Sequence, residues 1–192
     1  MFFTEYTDML KHTIDKIDCN EIQELYAAIE KVRNSGKRLI VLGNGGSAAA
    51  ASHWVCDFGK GINTDNSKRL KIIAPSDNSA VFSALGNDFG YDTTFSEQIK
   101  NYLEPGDLVL TMSVSGNSSN LLKAHQYARE IGAETACIVG DYKGKIIDLS
   151  DLSIVIKSKN YGVVEDIHIV LCHAISQKIR KSNEVVSYSD NG

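Results

Sequence analysis

The residues of this chain that could do chemistry fall into two glycine- and serine-rich strings and one scattered set of histidines and carboxylates. The strings are Gly43-Asn44-Gly45-Gly46-Ser47 and Ser113-Val114-Ser115-Gly116-Asn117-Ser118. Each follows a short apolar run and opens a stretch of helical character. Glycine lets backbone approach a ligand closely and adopt positive φ. Serine supplies hydroxyls, and a helix start supplies free N–H groups with a partial positive charge. Ser113, Ser115 and Ser118 together suit one phosphate ester, held without arginine. For a single string, a tight turn with a serine N-cap explains the pattern as well; two such turns at the ends of neighbouring strands point to an anion. Neither string is GxGxxG with a following acid, and neither is GxxxxGK[ST], so a dinucleotide or nucleoside triphosphate is disfavoured. A third junction, Gly86-Asn87-Asp88-Phe89-Gly90, offers Asn87 and Asp88 either as turn formers or as polar contacts to a polyol.

The scattered set is His53, Asp57, Glu165 and His173. His53 and Asp57 stand at i and i+4 and share a helix face. Glu165 and His173 are eight apart, roughly 80° round a helix. Together the four would form an N/O donor set suited to zinc. By spacing alone, a His-x-x-x-Asp pair is more often a surface or capping pair. His168 reads as a core or interface histidine, and His12 and His125 read as surface residues. Cys19, Cys56, Cys137 and Cys172 have no CxxC spacing and read as reduced thiols filling small apolar sites.

The elements that must position these groups follow from periodicity. Phe3, Tyr6, Met9, Leu10, Ile14 and Ile17, then Ile22, Leu25, Tyr26, Ile29 and Val32, recur at helical spacing. Asp18-Cys19-Asn20 supplies an N-cap region for the second helix, and Ser35-Gly36 ends it. Strands are expected at 38–43, 70–75, 107–113, 134–140 and 152–157, with helices at 47–58, 79–88, 93–103, 117–131 and 163–181. Strands alternating with helices imply parallel pairing through right-handed crossovers. The fold class is therefore α/β: a five-stranded parallel doubly wound sheet, flavodoxin-like, with an N-terminal helical extension. Residues 1–192 read as a single domain, with helices in 1–35 as an oligomer interface and 182–192 as a flexible polar tail. The basic cluster Lys178, Arg180 and Lys181 reads as complementing the dipole at the end of the final helix.

Composition bounds the function. Of 192 residues, 43% are hydrophobic and 23% charged, with 20 Lys+Arg against 24 Asp+Glu and a net charge of −4. That is ordinary globular composition, without the basic excess of a nucleic-acid binder. No apolar run approaches the ~18 residues of a membrane span. The start, MFFTEYTDMLKHTIDK, is not a signal peptide pattern, so a cytoplasmic protein is expected, with no membrane or nucleic-acid partner.

Four strings in order, GNGGSAAAASH, GNDFGYDTTFSEQ, SVSGNSSN and EDIHIVLCH, resemble the sugar isomerase domain family. They are most similar to its phosphoheptose isomerases, which convert sedoheptulose 7-phosphate to D-glycero-D-manno-heptose 7-phosphate. The resemblance spans nearly the whole chain. It implies an aldose–ketose isomerase working through an enediolate in heptose biosynthesis, in a homotetramer with active sites between subunits. It implies a substrate phosphate on Ser113, Val114, Ser115 and Ser118, and the open sugar on Asn44, Gly45, Gly46, Ser47, Asn87 and Asp88. It carries a zinc site onto His53, Asp57, Glu165 and His173, with Asp57 as base and His173 as acid. Asp57 stands where the family has glutamate, about 1.5 Å longer in reach. Glu165, also placed against the sugar, stands where the family has glutamine, and Gly162 stands where many relatives carry an acid. The alternative within the family is a non-catalytic domain that binds a sugar phosphate or a replication initiator.

Overall fold

The computed structural model describes residues 1–65 and 67–189, the last five of these as backbone. The apolar runs form strands β1 (Arg38–Leu42), β2 (Lys71–Ile73), β3 (Leu108–Ser113), β4 (Glu134–Gly140) and β5 (Leu152–Ile156). They pair in parallel in the order β2-β1-β3-β4-β5. The runs are continuous rather than alternating because both sheet faces are covered. Leu39 and Val41 of β1 join a core with Leu108, Leu110 and Ile138, while Ile40 and Leu42 join a second core with Val109 and Val139. Successive residues thus feed opposite layers, as strand geometry demands.

The first core lies under α1 (Phe2–Ile14), α2 (Cys19–Ser35), α3 (Gly46–Cys56) and α7 (Tyr161–Ser189); the second lies under α5 (Thr94–Ile99) and α6 (Ser119–Ile131), with α4 (Ser79–Asp88) outside them. The local signals hold at the helix ends. Asp18 caps α2 by accepting from Asn20 N–H at 2.8 Å, and Gly36 and Gly132 close α2 and α6 at φ of 71° and 81°.

Several boundaries differ from the periodicity. The helix expected over 47–58 gives way at Asp57 to a π-helical turn, Asp57–Gly61, in which Ile62 N–H reaches back five residues to Asp57 C=O at 3.0 Å. The helix expected over 93–103 is only six residues of α-helix, because a 3-10 turn at Tyr91–Thr93 starts it. The final helix continues through Ser189, so 182–189 is helical where a loose tail was expected; 190–192 lie outside the described residues. Lys178 and Arg180 therefore do not end that helix. Lys178 Nζ sits 4.0 Å from the centroid of the Tyr26 ring, and Arg180 pairs with Glu184 at 3.0 Å and donates to Gly61 C=O at 3.2 Å. Among the described residues, no helix is long and apolar enough to cross a membrane.

Candidate active site

Strand order reverses between β1 and β3, the two strands that share the sheet centre. Ligands of open α/β sheets bind at such a switch point, beyond the carboxyl ends of the strands. Both glycine and serine strings emerge there, one from β1 and one from β3.

Ser113, Val114, Ser115 and Ser118 line one cavity of about 110 Å³ with Asn44, Ser47, Tyr161 and Glu165. The hydroxyl of Ser113 accepts from Gly116 N–H at 3.1 Å, and that of Ser115 accepts from Asn117 N–H at 3.3 Å. Each therefore keeps its own proton to donate. Ser118 occupies the N-cap of α6 and spends no side-chain bond on the cap. The loop is locked from beneath by backbone contact: a Cβ on Gly116, at φ 64°, would lie 3.0 Å from Gly144 Cα. Three hydroxyls free to donate and a helix start are groups that can hold an anion without a cation.

The β1 loop is shaped by two close approaches. A Cβ on Gly43 would lie 2.4 Å from Ser47 C=O, and one on Gly46 would lie 2.4 Å from a carboxylate oxygen of Glu165. Asn44 does not point freely into the cavity. It exchanges amide hydrogen bonds with the buried Asn120 at 3.0 Å in both directions and accepts from Tyr91 Oη at 2.8 Å. Asn120 and Tyr91, which lie within the quoted strings SVSGNSSN and GNDFGYDTTFSEQ but were given no role there, are thus residues that shape the site.

The second cluster sits at the other end of α3. His53 Nε2 and His173 Nε2 are 2.9 Å apart, and Asp57 Oδ2 lies 3.7 Å from each. Trp54, fully buried, stacks on Phe58 at 4.9 Å and donates its indole N–H to His168 C=O at 3.1 Å. That tie fixes α3 against α7, so His53 and Asp57 meet His173. Cys172, also buried, brings its thiol to 3.8 Å from Asp57 Oδ2. Burial, and then the Asp57 carboxylate, push that thiol well above the usual range. His53, Asp57 and Cys172 present donor atoms within 4.8 Å of one another.

These atoms suit a zinc ion. From the separations of 2.9, 3.7 and 3.7 Å, the point equidistant from His53 Nε2, His173 Nε2 and Asp57 Oδ2 lies about 2.0 Å from each, the usual zinc–nitrogen and zinc–oxygen distance. Glu165 stands apart from the trio, with its carboxylate over Gly46 in the serine cavity. Asn87 and Asp88 join neither cluster; they lie exposed on α4, with Asn87 donating to Asp88 at 2.8 Å.

His125 is a correction: it is fully buried, not at the surface. Its ring bridges Thr111 at 2.8 Å and Ser150 at 3.3 Å. Burial lowers its pKa to about 4, and that of the buried His168 likewise to about 4. Both are neutral core residues outside the chemistry. Cys19 and Cys56 are exposed rather than core-filling.

A parallel sheet with serine- and glycine-lined junctions at its switch point defines a class, and the sequence model described as "SIS domain" matches residues 1–140. The chain belongs to that family, on its phosphoheptose isomerase branch. It is 35% identical over 179 residues to a protein named "Probable phosphoheptose isomerase" from Thermoplasma volcanium, covering 93% of this chain and 91% of that one. It is 36% identical over 152 residues to the phosphoheptose isomerase of Aliarcobacter butzleri, covering 79% of each. The solved phosphoheptose isomerase of Neisseria gonorrhoeae superposes with a TM-score of 0.85 at 26% identity, covering 94% of this chain and 95% of that one. The chain is an enzyme, an isomerase of sugar phosphates, which decides against the non-catalytic alternative.

Proposed function

We propose that the enzyme interconverts sedoheptulose 7-phosphate and D-glycero-D-manno-heptose 7-phosphate, in nucleotide-activated heptose biosynthesis. The observation that carries this reading is the pairing of a serine-lined anion cavity with a His–Asp–His cluster along the same two helices. From Glu165 at the cavity to His173 at the cluster, α7 rises about 12 Å, a span of the order of an open seven-carbon chain with its terminal phosphate.

In this reading Ser113, Val114, Ser115 and Ser118 hold the phosphate, and Gly45, Gly46 and Ser47 line the sugar's path beside Glu165. Asn44, held by Asn120 and Tyr91, fixes the wall of that path. Phosphate binding far from the reacting carbons orients them. Asp57 removes the proton on the carbon beside the carbonyl, and the electron pair moves to give a cis-enediolate. After that proton exchanges with solvent on the Asp57 carboxyl, Asp57 returns a proton to the neighbouring carbon, so ketose becomes aldose. His173 moves the hydroxyl proton between the two oxygens. Zinc at His53, Asp57 and His173 supplies polarisation of those oxygens when bound.

The reading includes a homotetramer with sites between subunits. Phe2, Phe3 and Met9 of α1 are 79%, 72% and 43% exposed, and Phe89 next to Asn87-Asp88 is 67% exposed. Apolar surface of this kind marks interfaces, and across one Asn87 and Asp88 would reach a neighbouring copy's sugar. The test is conversion of sedoheptulose 7-phosphate in D2O. Aldose bearing one deuterium at the former carbonyl carbon is expected. Turnover of other sugar phosphates but not this one would overturn the substrate.

A further inference from the structure

We infer that Tyr6 of α1 is a positioning residue for the serine cavity: its hydroxyl, seated over Gly162 and bonded to Asp166, holds the first turn of α7 where Tyr161 and Glu165 line that cavity. The inference rests on the sugar-phosphate reading above and brings into the site a helix which that reading uses only as an interface.

Tyr6 packs against the first core and donates its hydroxyl to Asp166 Oδ2 at 2.7 Å. Among the described residues, that is the one side-chain hydrogen bond from α1 to another element. The same hydroxyl meets Gly162. A Cβ on Gly162 would lie 2.8 Å from Tyr6 Oη, but 3.6 Å from Tyr6 Cε2. Gly162 is not among the glycines of positive φ, so its backbone does not require glycine. A glycine also weakens a helix relative to alanine. The space it leaves is what the hydroxyl needs. Gly162 and Asp166 stand at i and i+4, so they share a helix face that one ring can cover. Each directly follows a residue that lines the serine cavity, Tyr161 and Glu165. The remaining side-chain tie on this turn is local: Asn160 accepts from Val163 N–H at 3.2 Å. The bond to Asp166, followed by burial, pushes the Tyr6 pKa up to about 12. The phenol therefore keeps its proton and stays a donor at neutral pH.

The experiment measures kcat and KM for sedoheptulose 7-phosphate in the full chain and its variants. Tyr6→Phe and Asp166→Ala should each raise KM about three- to tenfold, the share of a charge-assisted hydrogen bond that reaches the cavity. Their kcat should stay within about twofold, because binding common to ground and transition state is what is lost. Asp166→Asn keeps an acceptor for Tyr6 and should hold the wild-type KM. Gly162→Ala sets a methyl against the hydroxyl, so it should raise KM in the chain with Tyr6 and add nothing in Tyr6→Phe, where the oxygen is gone. Circular dichroism confirms that each variant is folded. An unchanged KM in Tyr6→Phe, or effects of Tyr6→Phe and Gly162→Ala that multiply in the double variant, overturns the inference and leaves the substrate reading intact. A wild-type chain that does not turn over sedoheptulose 7-phosphate overturns the substrate alone; the same variants, read as calorimetric affinity for inorganic phosphate, then decide the inference by the same pattern. Absence of phosphate binding overturns both.

Discussion

At the scale of single residues, Asp57 carries the sharpest consequence. A positioned general base is worth about 10²–10⁴ in rate, so Asp57→Asn lowers turnover of sedoheptulose 7-phosphate by that factor, measured as aldose formation. Full turnover in this variant would remove Asp57 from the chemistry. Two glycines of the β1 loop separate structural from ligand-facing need. A Cβ at Gly43 meets backbone, Ser47 C=O at 2.4 Å, which cannot turn aside. Gly43→Ala should cost about 2–3 kcal/mol by overpacking, read from denaturant unfolding. A Cβ at Gly46 meets the end of the Glu165 side chain instead, and that side chain can rotate. Gly46→Ala should cost under about 1 kcal/mol, yet displace Glu165 and weaken sugar-phosphate binding in a calorimetric titration. Equal destabilisation by the two variants would contradict this distinction.

At the scale of elements, α3, the π-helical turn after it and α7 bring His53, Asp57 and His173 together, and α6 holds a buried histidine against the sheet. Burial lowers the pKa of His125 and of His168 to about 4, from an unfolded value of about 6.5. Below that unfolded value the unfolded chain takes up protons that the fold refuses. Stability is therefore full above about pH 6.5 and falls as pH drops toward 4, by up to about 3 kcal/mol for each ring. Chemical unfolding at pH 7.5 and at pH 5 should show the loss, and His125→Asn should reduce the slope. A flat profile would mean that both rings charge inside the fold. The cap of α2 tests a smaller effect: Asp18→Ala removes the acceptor for Asn20 N–H and should cost about 1 kcal/mol, seen as a lowered Tm.

At the scale of the whole molecule, the proposed homotetramer would cover exposed Phe2 and Phe3 on α1 and Phe89 after α4, and light scattering should then read a mass of four chains. Phe2→Asp with Phe3→Asp should shift that mass downward, because charge at a desolvated apolar contact is costly. An unchanged mass would move the interface elsewhere. The cluster of His53, Asp57 and His173 has side chains 42%, 25% and 47% exposed, which accords with a site completed by substrate or by a neighbouring copy.

The strands, their parallel pairing and the helix caps were readable in the sequence because local patterning and the alternation of strands with helices set them. Continuous apolar runs such as 38–42 bury on both faces, Asp18 caps, and Gly36 and Gly132 adopt positive φ, whereas the backbone packed against Gly43 and Gly116 was seen only in the structure. That Ser113, Val114, Ser115 and Ser118 share one cavity was readable for the same reason, since they belong to one short loop. Other features were decided only by tertiary contact. The π-helical turn at Asp57 follows no residue pattern. Asn120 and Tyr91 reach Asn44 from distant segments, His125 lost its place at the surface to burial under the sheet, and Glu165 settled on Gly46 rather than beside His173. Cys172 read as a small core residue until α7 packed on α3 and set its sulfur against Asp57. Local sequence determines which elements form and which loops carry glycines and serine hydroxyls at a helix start; which side chains converge on one point depends on helix packing angles summed over many contacts, and no spacing rule carries that information.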